Sequence, residues 1–220
     1  MLSNELINDA IVTLRTSDTA MSALSLMEEF KVTHLPIVNN EQFLGLISED
    51  DIFDLNKPEE PLGNHTLSLN RPFISEQQHI YDVIRIFGEL RLTVLPVLDS
   101  KNNYLGAITL SGLVHKLPDI AAINNPGGII ILEVNQNDYS LSQIAQIVES
   151  NDAKVLSLYL TSDPNTTKIE ITLKINKIDM RQVLQTFIRF DYIVKASYSD
   201  MNSVEDLKDR YNLLMNYLNM

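Results

Sequence analysis

Apolar and polar positions follow the same order twice in the first half of the chain. A short opening strand comes first, followed by a helical pattern, a second apolar strand, a polar turn, a third apolar strand and a second helix. A shift of sixty residues aligns KVTHLPIV at 31–38 with RLTVLPVL at 91–98. One extra residue in the next turn then aligns GLISEDDIF at 45–53 with GAITLSGLV at 106–114. The pattern predicts two strand–helix–strand–strand–helix repeats, with opening strands at 10–14 and 71–75, that share a core.

The pattern changes after a segment at 115–128, which carries two prolines and an Asn-Asn-Pro-Gly-Gly cluster typical of a linker. Amphipathic helical stretches that begin at Ser140 and near Asp179 alternate with apolar strands. The order strand–helix–strand–strand–helix–strand predicts a ferredoxin-like domain. The four predicted strands lie at 129–134, 154–160, 168–175 and 192–198.

The last segment, 203–219, has an apolar stripe at alternating spacings of three and four residues, which predicts a C-terminal helix. Two heptads are too short to hold a coiled coil alone. We therefore expect this helix to pack on the preceding sheet or to join a dimer interface.

Charge and composition narrow the classes of partner. The chain has 17 basic and 29 acidic residues, a net charge of −12, and no basic cluster, which argues against nucleic-acid binding. It has no cysteine, no apolar run of the roughly 20 residues that span a bilayer, and no signal-like N-terminus. We expect a cytoplasmic protein that has neither nucleic acid nor membrane as a partner.

One pair of side chains differs between the repeats in a way that bears on chemistry. Ser48 ends the last strand of repeat one and Asp51 follows it, whereas Thr109 and Gly112 take their places in repeat two. Ser48-x-x-Asp51 can be a capping box, in which each residue satisfies the backbone of the other. The same carboxylate can also accept the two hydroxyl donors of a ribose. The sequence leaves both interpretations open.

The two repeats resemble a tandem pair of CBS domains over roughly residues 1–118. The resemblance rests on Leu-Pro at 35–36 and 95–96, on Gly45 and Gly106, and on the hydroxyl that follows each glycine. It implies CBS repeats at 1–57 and 66–118, and a regulatory protein that binds an adenosyl ligand such as AMP, ADP, ATP or S-adenosylmethionine.

The resemblance also implies a set of ligand-binding residues. Asp51 would hold the ribose, Ser48 the ribose or phosphate, and His34 would lie near the phosphates. Gly112 cannot accept a diol, so Thr109 would mark a degenerate second site and each chain would bind one ligand. The remaining predicted contacts are Thr13 against the adenine, and Thr33, Leu35 and Pro36 along the cleft.

Residues 128–200 resemble an ACT domain, although the loop at 135–142 lacks the glycine that amino-acid-binding members of that family commonly carry. A CBS pair followed by an ACT-like domain resembles the domain arrangement of bacterial acetoin-utilisation regulators. The predicted fold is therefore α/β of the α+β kind: a tandem CBS pair, a ferredoxin-like ACT-type domain and a C-terminal helix.

The predicted function is regulatory and not enzymatic, because no catalytic or metal-binding constellation is recognisable in the sequence. No cofactor is required, an adenine nucleotide is the expected ligand, and a homodimer is the expected assembly. Two alternatives stay open: an interaction scaffold that binds no ligand, and an amino-acid sensor that works through the ACT-like domain.

Overall fold

The computed structural model describes residues 1–8, 10–65 and 69–199. The chain divides into two compact units, which are treated in turn. The predicted C-terminal helix at 203–219 lies outside the described residues. Within the described ranges, no helix is both long enough and apolar enough to cross a membrane.

The first unit, Met1–Lys116, contains both repeats, and each forms an antiparallel hairpin that is flanked by helices. Ile37 lies opposite Gly45 in the first hairpin and Val97 lies opposite Gly106 in the second, and both hairpins shift register directly after that pair. The predicted repeat is therefore confirmed in three dimensions. Its elements are α1 (Ala20–Phe30), β1 (His34–Asn39), β2 (Gln42–Ser48) and α2 (Glu49–Phe53), then β3 (Ile74–Ser75), α3 (Ile80–Leu90), β4 (Val94–Leu98), β5 (Tyr104–Thr109) and α4 (Leu110–Ile120).

Equivalent residues of the two repeats meet at Thr33 and Thr93. The Thr33 N–H donates to Thr93 Oγ1 at 3.0 Å, and the two hydroxyl oxygens lie 3.4 Å apart. Their carbonyls also act alike: Thr33 C=O accepts the N–H of Glu49 at 2.9 Å, and Thr93 C=O accepts the N–H of Leu110 at 3.0 Å. The repeats are therefore related by an approximate two-fold axis close to these threonines.

The helices form because one face of each is apolar and their first turns are capped. Thr19 caps α1: its Oγ1 accepts the N–H of Ser22 at 3.2 Å, and Ser22 Oγ accepts the N–H of Thr19 at 3.1 Å. The apolar faces are buried against the sheets at helical spacing. The buried residues are Ala20, Ala23 and Met27 in α1, and Ile80, Val83 and Phe87 in α3.

The opening strands are much shorter than predicted. In repeat one, the strand expected at 10–14 is reduced to a single parallel bridge between Leu14 and Ile37. In repeat two, the strand expected at 71–75 is reduced to β3, where Ile74 pairs with Val97. Ahead of each bridge, the chain comes from a segment that is hydrogen-bonded to the other repeat, at Asn8 and at Asn70.

We call residues 7–8 and 69–70 the lead segments of the two repeats. Each lead segment hydrogen-bonds to the hairpin of the other repeat. The Asn8 N–H donates to the Ala107 carbonyl on β5 at 2.8 Å. In the symmetric position, the Leu46 N–H on β2 donates to the Asn70 carbonyl at 2.9 Å. Each repeat therefore places its lead segment along the second hairpin strand of its partner.

The glycine of each repeat makes room for the exchanged segment. A Cβ atom on Gly45 would lie 2.5 Å from Leu69 Cβ, and a Cβ atom on Gly106 would lie 2.5 Å from Ile7 Cγ2. Such distances are far shorter than carbon atoms allow. This is the physical reason for a glycine at the same place in both repeats.

Both hydrophobic cores of the first unit mix the two repeats. One core joins Val38, Phe43 and Leu46 of repeat one to the helix and strands of repeat two. The other joins Val94 and Ala107 of repeat two to repeat one. Neither repeat completes a core alone, as the sequence predicted.

The second unit, Leu117–Met220, has the predicted order strand–helix–strand–strand–helix–strand, which confirms the ferredoxin-like topology. Its sheet is antiparallel with the order β7-β8-β6-β9. Alternate residues of β8 face the helices and are buried, as its strict alternation predicted. The elements are β6 (Gly128–Asn135), α5 (Leu141–Glu149), β7 (Val155–Ser162), β8 (Lys168–Ile175), α6 (Arg181–Arg189) and β9 (Ile193–Ser199).

Candidate functional site

A cleft of about 440 Å³ lies in the first unit where β2 and α2 of repeat one meet the start of repeat two. This volume is within the range of small-molecule sites. Repeat one contributes polar side chains from the start of β1, the end of β2 and the helix α2. Repeat two contributes residues 70–72, the last residue of α3 and Leu92 after it. The lining residues are His34, Leu46, Ser48, Asp51, Asn70, Arg71, Pro72, Leu90 and Leu92.

Ser48 and Asp51 form the capping box that the sequence allowed. Asp51 Oδ2 accepts the Ser48 N–H at 2.8 Å and the Ser48 hydroxyl at 2.6 Å, and Ser48 Oγ accepts the Asp51 N–H at 3.1 Å. Asp51 Oδ1 accepts no hydrogen bond from any residue that the structure describes. The cap fixes the carboxylate at the cleft through one oxygen and leaves the second oxygen for a ligand.

The backbone at the start of α2 has little left to offer an anion. The Glu49 N–H donates to the Thr33 carbonyl at 2.9 Å, and the Asp51 N–H donates to Ser48 Oγ. The helix is also only five residues long. The N–H groups of Glu49 and Asp51 are therefore not available to an anion.

His34 is held by the threonines at the approximate two-fold axis. Its Nδ1 lies 3.0 Å from Thr33 Oγ1 and 3.1 Å from Thr93 Oγ1, and it accepts the Thr93 N–H at 3.4 Å. Because Nδ1 accepts, the proton of the neutral ring is on Nε2. Burial lowers the pKa of His34, and the nearby carboxylates of Asp51 and Asp50 only partly offset this. His34 is therefore neutral near pH 7 and offers a hydrogen-bond donor.

Arg71 also lines the cleft, and the sequence interpretation did not predict it there. One Nη2–H donates to the Phe43 carbonyl at 2.8 Å, and the guanidinium carbon lies 5.9 Å from the centre of the Phe43 ring. Arg71 forms no ion pair with any carboxylate of the described residues. The glycine at position 45 was the sequence signal for this arrangement. It indicates that another segment packs closely against β2, and that segment is residues 69–70 at the start of repeat two.

The other four predicted ligand-binding residues are not among those that line this cleft. Thr33 is exposed beside His34, whereas Leu35 and Pro36 are buried within β1. Thr13 lines a different cavity of about 400 Å³, with Arg15, Ser17 and residues 38–41. The structure thus brings together His34, Ser48 and Asp51, and it does not bring Thr13 to them.

The equivalent position of repeat two lacks these groups. Thr109 is buried, and its Oγ1 accepts the Gly112 N–H at 3.0 Å. The sixty-residue shift puts Val94 in the place of His34 and Ile11 in the place of Arg71. The carboxylate, the imidazole and the guanidinium are all replaced by groups that cannot hold a nucleotide.

The second unit has a smaller polar cavity of about 280 Å³ at the end of β6, lined by residues 135–138 and Thr167. The loop forms one 3₁₀ turn, Gln136–Asp138. Among the described residues, no group of three or more His, Cys, Asp or Glu side chains is arranged to hold a metal ion.

Comparison with known proteins identifies the first unit. Residues 3–57 and residues 68–119 each match the CBS domain family. The chain therefore carries a tandem pair of CBS domains. The ferredoxin-like topology of the second unit is confirmed, whereas its resemblance to an ACT domain stays a prediction.

Related proteins share part of the chain. The inosine-5'-monophosphate dehydrogenase of Methanocaldococcus jannaschii is 20% identical over 152 residues, which is 67% of this chain and 30% of that protein. An uncharacterised protein of the same organism is 26% identical over 106 residues, which is 48% of this chain and 40% of that protein. The chain thus spans less than half the length of each of these two relatives.

A solved CBS domain pair/ACT domain protein from Thermotoga maritima is also similar. The two chains are 21% identical and superpose with a TM-score of 0.48. The match covers 55% of this chain and 98% of the solved chain.

Proposed function

We propose that the protein is a regulatory protein that binds an adenosyl small molecule in the cleft at Asp51. The observation that carries this proposal is the geometry of Asp51, whose Oδ2 is occupied by the cap while Oδ1 has no partner among the described residues. A ribose diol offers two adjacent hydroxyl donors, and a carboxylate oxygen is their natural acceptor.

The walls of the cleft suit the rest of such a ligand. Leu46, Pro72 and Leu92 give it an apolar surface for a flat base. The Nε2–H of His34 and the guanidinium of Arg71 provide donors for an anionic group. Ser48 adds a hydroxyl beside the carboxylate.

One ligand per chain is the expected stoichiometry. Gly112, Val94 and Ile11 offer neither an acceptor for a ribose nor a donor for a phosphate in repeat two. The role of repeat two in the proposed function is to complete the cleft of repeat one and to stabilise the shared cores.

A thermal-shift panel on the full chain tests the proposed function. A ligand at a hundred times its Kd stabilises the native state by about 2.7 kcal/mol, which raises the Tm by several degrees. We expect this from at least one of AMP, ADP, ATP and S-adenosylmethionine, and not from amino acids. A rise with amino acids alone would favour a sensor that works through the second unit, and no rise with any compound would favour a scaffold.

The proposal includes a homodimer as the working assembly. Both units expose large apolar side chains, among them Phe53 at 67% and Val114 at 53% in the first, and Tyr198 at 58% in the second. Two-fold dimers are the commonest closed assembly. Burial of such side chains between two copies would supply the driving force.

A further inference from the structure

The sheet of the second unit has one face that is covered and one that is open. Apolar side chains of α5 and α6 pack against alternate residues of the strands. These residues are 0% exposed and include Ile130, Leu132, Ile171 and Leu173. The residues between them point to the opposite face, which α5 and α6 leave uncovered and which we call the open face. The chain before β6 reaches the β7 edge of this face, where the Ser157 hydroxyl donates to the Ala121 carbonyl at 2.8 Å.

An apolar strip runs across the middle of the open face. Ile131 on β6 lies opposite Thr172 on β8, which lies opposite Tyr159 on β7. Ile129, two residues before Ile131, lies opposite Tyr198 on β9. Tyr159 and Tyr198 are each 58% exposed. Apolar side chains in this arrangement favour a cover that excludes water.

The charged residues of the open face are divided between its two ends. At the end where β9 begins, Glu133 pairs with Lys168 and Lys195, and Lys195 also pairs with Glu170. At the end where β9 finishes, Lys174 forms no ion pair with any carboxylate of the described residues. One end is therefore neutralised by its own side chains, and the other presents a cation.

We propose that residues 203–219 form a helix whose apolar stripe packs on the open face of the sheet in the same chain. The stripe consists of Val204, Leu207, Tyr211, Leu214 and Leu218. The sequence left two places for this helix, the preceding sheet and a dimer interface, and the open face favours the first. The inference does not depend on the proposed function, because the open face belongs to the second unit and the adenosyl cleft to the first.

The position and length of the segment suit this cover. β9 ends at Ser199 on the edge of the sheet beside β6, and residues 200–202 are enough for a short connection. The proposed helix is about 25 Å long and about 10 Å wide. The central strands β6 and β8 are about 26 Å long and lie about 5 Å apart. One helix therefore covers both central strands, which carry Ile129, Ile131 and Thr172.

The charges of the segment match the two ends of the open face. Its first half begins with Glu205 and Asp206, and its second half, 211–219, has no charged residue. A helix that starts at the end of β9 brings the two carboxylates towards Lys174 and the uncharged half towards the ion pairs of Glu133. The ion pairs are then covered without an added charge that has no partner, which would be costly.

Tethering favours this segment over a second copy of the chain. A segment joined to its site by a short connection has an effective concentration in the millimolar range, far above that of a free chain at micromolar concentration. The segment would also cover Tyr198. The exposed apolar side chains of the first unit, such as Phe53 and Val114, would then carry the proposed homodimer.

The reactivity of a single thiol tests the cover, because the chain has no cysteine. Thr172→Cys places a thiol in the middle of the open face with little change in volume. In the full chain this thiol should react slowly with iodoacetamide. Leu207→Asp together with Leu214→Asp, the stripe substitutions, should raise its rate about tenfold or more, because the thiol then no longer waits for the helix to open.

Two controls separate the cover from other effects. Asn212→Asp with Asn216→Asp adds the same charges on the opposite side of the helix, at about 100° per residue, and should leave the thiol of Thr172→Cys as slow as before. Val148→Cys places a thiol in the core beneath α5, where Val148 is 0% exposed. This thiol should stay protected in the presence of the stripe substitutions, which shows that the unit remains folded.

A cross-link distinguishes the same chain from a second copy. Thr172→Cys combined with Tyr211→Cys is treated with a short bismaleimide, and the products are analysed on a denaturing gel and by peptide mass spectrometry. The inference predicts a link within one chain, at the chain mass of 24.9 kDa. A product of twice that mass would place the segment on a second copy, and no link would remove it from the sheet. Either result overturns the inference, as does a thiol of Thr172→Cys that responds equally to the stripe and the control substitutions.

Discussion

Gly45 and Leu69 are packed so closely that the strand and the lead segment leave no room for a methyl group between them. A Cβ atom on Gly45 would lie 2.5 Å from Leu69 Cβ and 3.2 Å from the Asn70 carbonyl oxygen. Residue 45 belongs to repeat one and residues 69–70 lead into repeat two. The contact joins the two repeats and holds the residues that form one wall of the cleft.

The first prediction is that Gly45→Ala destabilises the protein by about 1–3 kcal/mol, the usual cost of overpacking. The added methyl group must displace Leu69 and Asn70, so the cleft should also bind its ligand more weakly. Urea unfolding measures the first effect and calorimetric titration measures the second.

Gly88→Ala is the matched control for that substitution. Gly88 lies in α3, and a Cβ atom there would meet nothing within 4 Å. It should stabilise the helix by about 0.5–1 kcal/mol, because alanine loses less backbone entropy than glycine on folding. Equal effects of the two substitutions would show that the tight contact at Gly45 does not matter.

The second prediction concerns Tyr104, whose hydroxyl is buried without a hydrogen-bond partner among the described residues. Burial raises the pKa of Tyr104, as expected for a phenol far from water. The equivalent residue of repeat one is Phe43. Tyr104→Phe should therefore raise the free energy of unfolding by about 1 kcal/mol, because a buried unpaired polar group is costly. A loss of stability in urea unfolding would mean that the hydroxyl has a partner in solution.

The third prediction concerns the pH dependence of stability at His34. Burial lowers the pKa of His34 below its ordinary value of 6.5. Between the folded pKa and 6.5 the unfolded chain binds more protons than the folded chain, so stability falls as the pH drops through this window and is fully present above it.

Urea unfolding of the native chain and of His34→Gln between pH 7.5 and 5 should show this effect. The native chain should lose more stability than the variant over that interval, because the variant has no imidazole to protonate. A larger loss in His34→Gln would mean that the pKa of His34 is raised in the folded state, with the carboxylates of Asp50 and Asp51 dominating over burial.

The fourth prediction is that the full chain is a dimer in solution. Light scattering at micromolar concentration should give a particle of twice the chain mass of 24.9 kDa. A chain that ends at residue 200 tests the predicted C-terminal helix: a monomer would assign the helix to the dimer interface, and an unchanged dimer would remove it from that role. A monomeric full chain would contradict the prediction of a homodimer.

The repeat and the ferredoxin-like order could be predicted because they depend on local patterns. Apolar strands around Leu35 and Leu95 recur at fixed spacing, and β8 alternates strictly. The shortened opening strands could not be predicted, because the backbone groups at Asn8 and Asn70 could pair with either repeat on local grounds alone.

The part of the candidate site that depends on residues close together in sequence was also predictable. Ser48 and Asp51 are three residues apart, so a local capping geometry brings them together. Arg71 reaches the cleft through long-range pairing of the lead segment with β2, and no sequence spacing encodes that distance. Thr13 was expected near the adenine only from the family resemblance, and it lines a different cavity.

Loss of the Asp51 carboxylate has two consequences that a control can separate. Asp51→Ala removes the ribose acceptor and also the cap of α2, which is worth about 1 kcal/mol of stability. Thr19→Ala removes a comparable cap from α1, and Thr19 does not line the cleft. It should lose similar stability and keep its ligand affinity.

Calorimetric titration of AMP into the full native chain, Asp51→Ala and Thr19→Ala tests the central claim most directly. The native chain should bind one AMP per chain, and Asp51→Ala should bind about tenfold to a hundredfold more weakly, the worth of hydrogen bonds to a charged group. Thr19→Ala should match the native chain. Two equivalent sites per chain, or an unchanged affinity in Asp51→Ala, would contradict a single adenosyl site at Asp51.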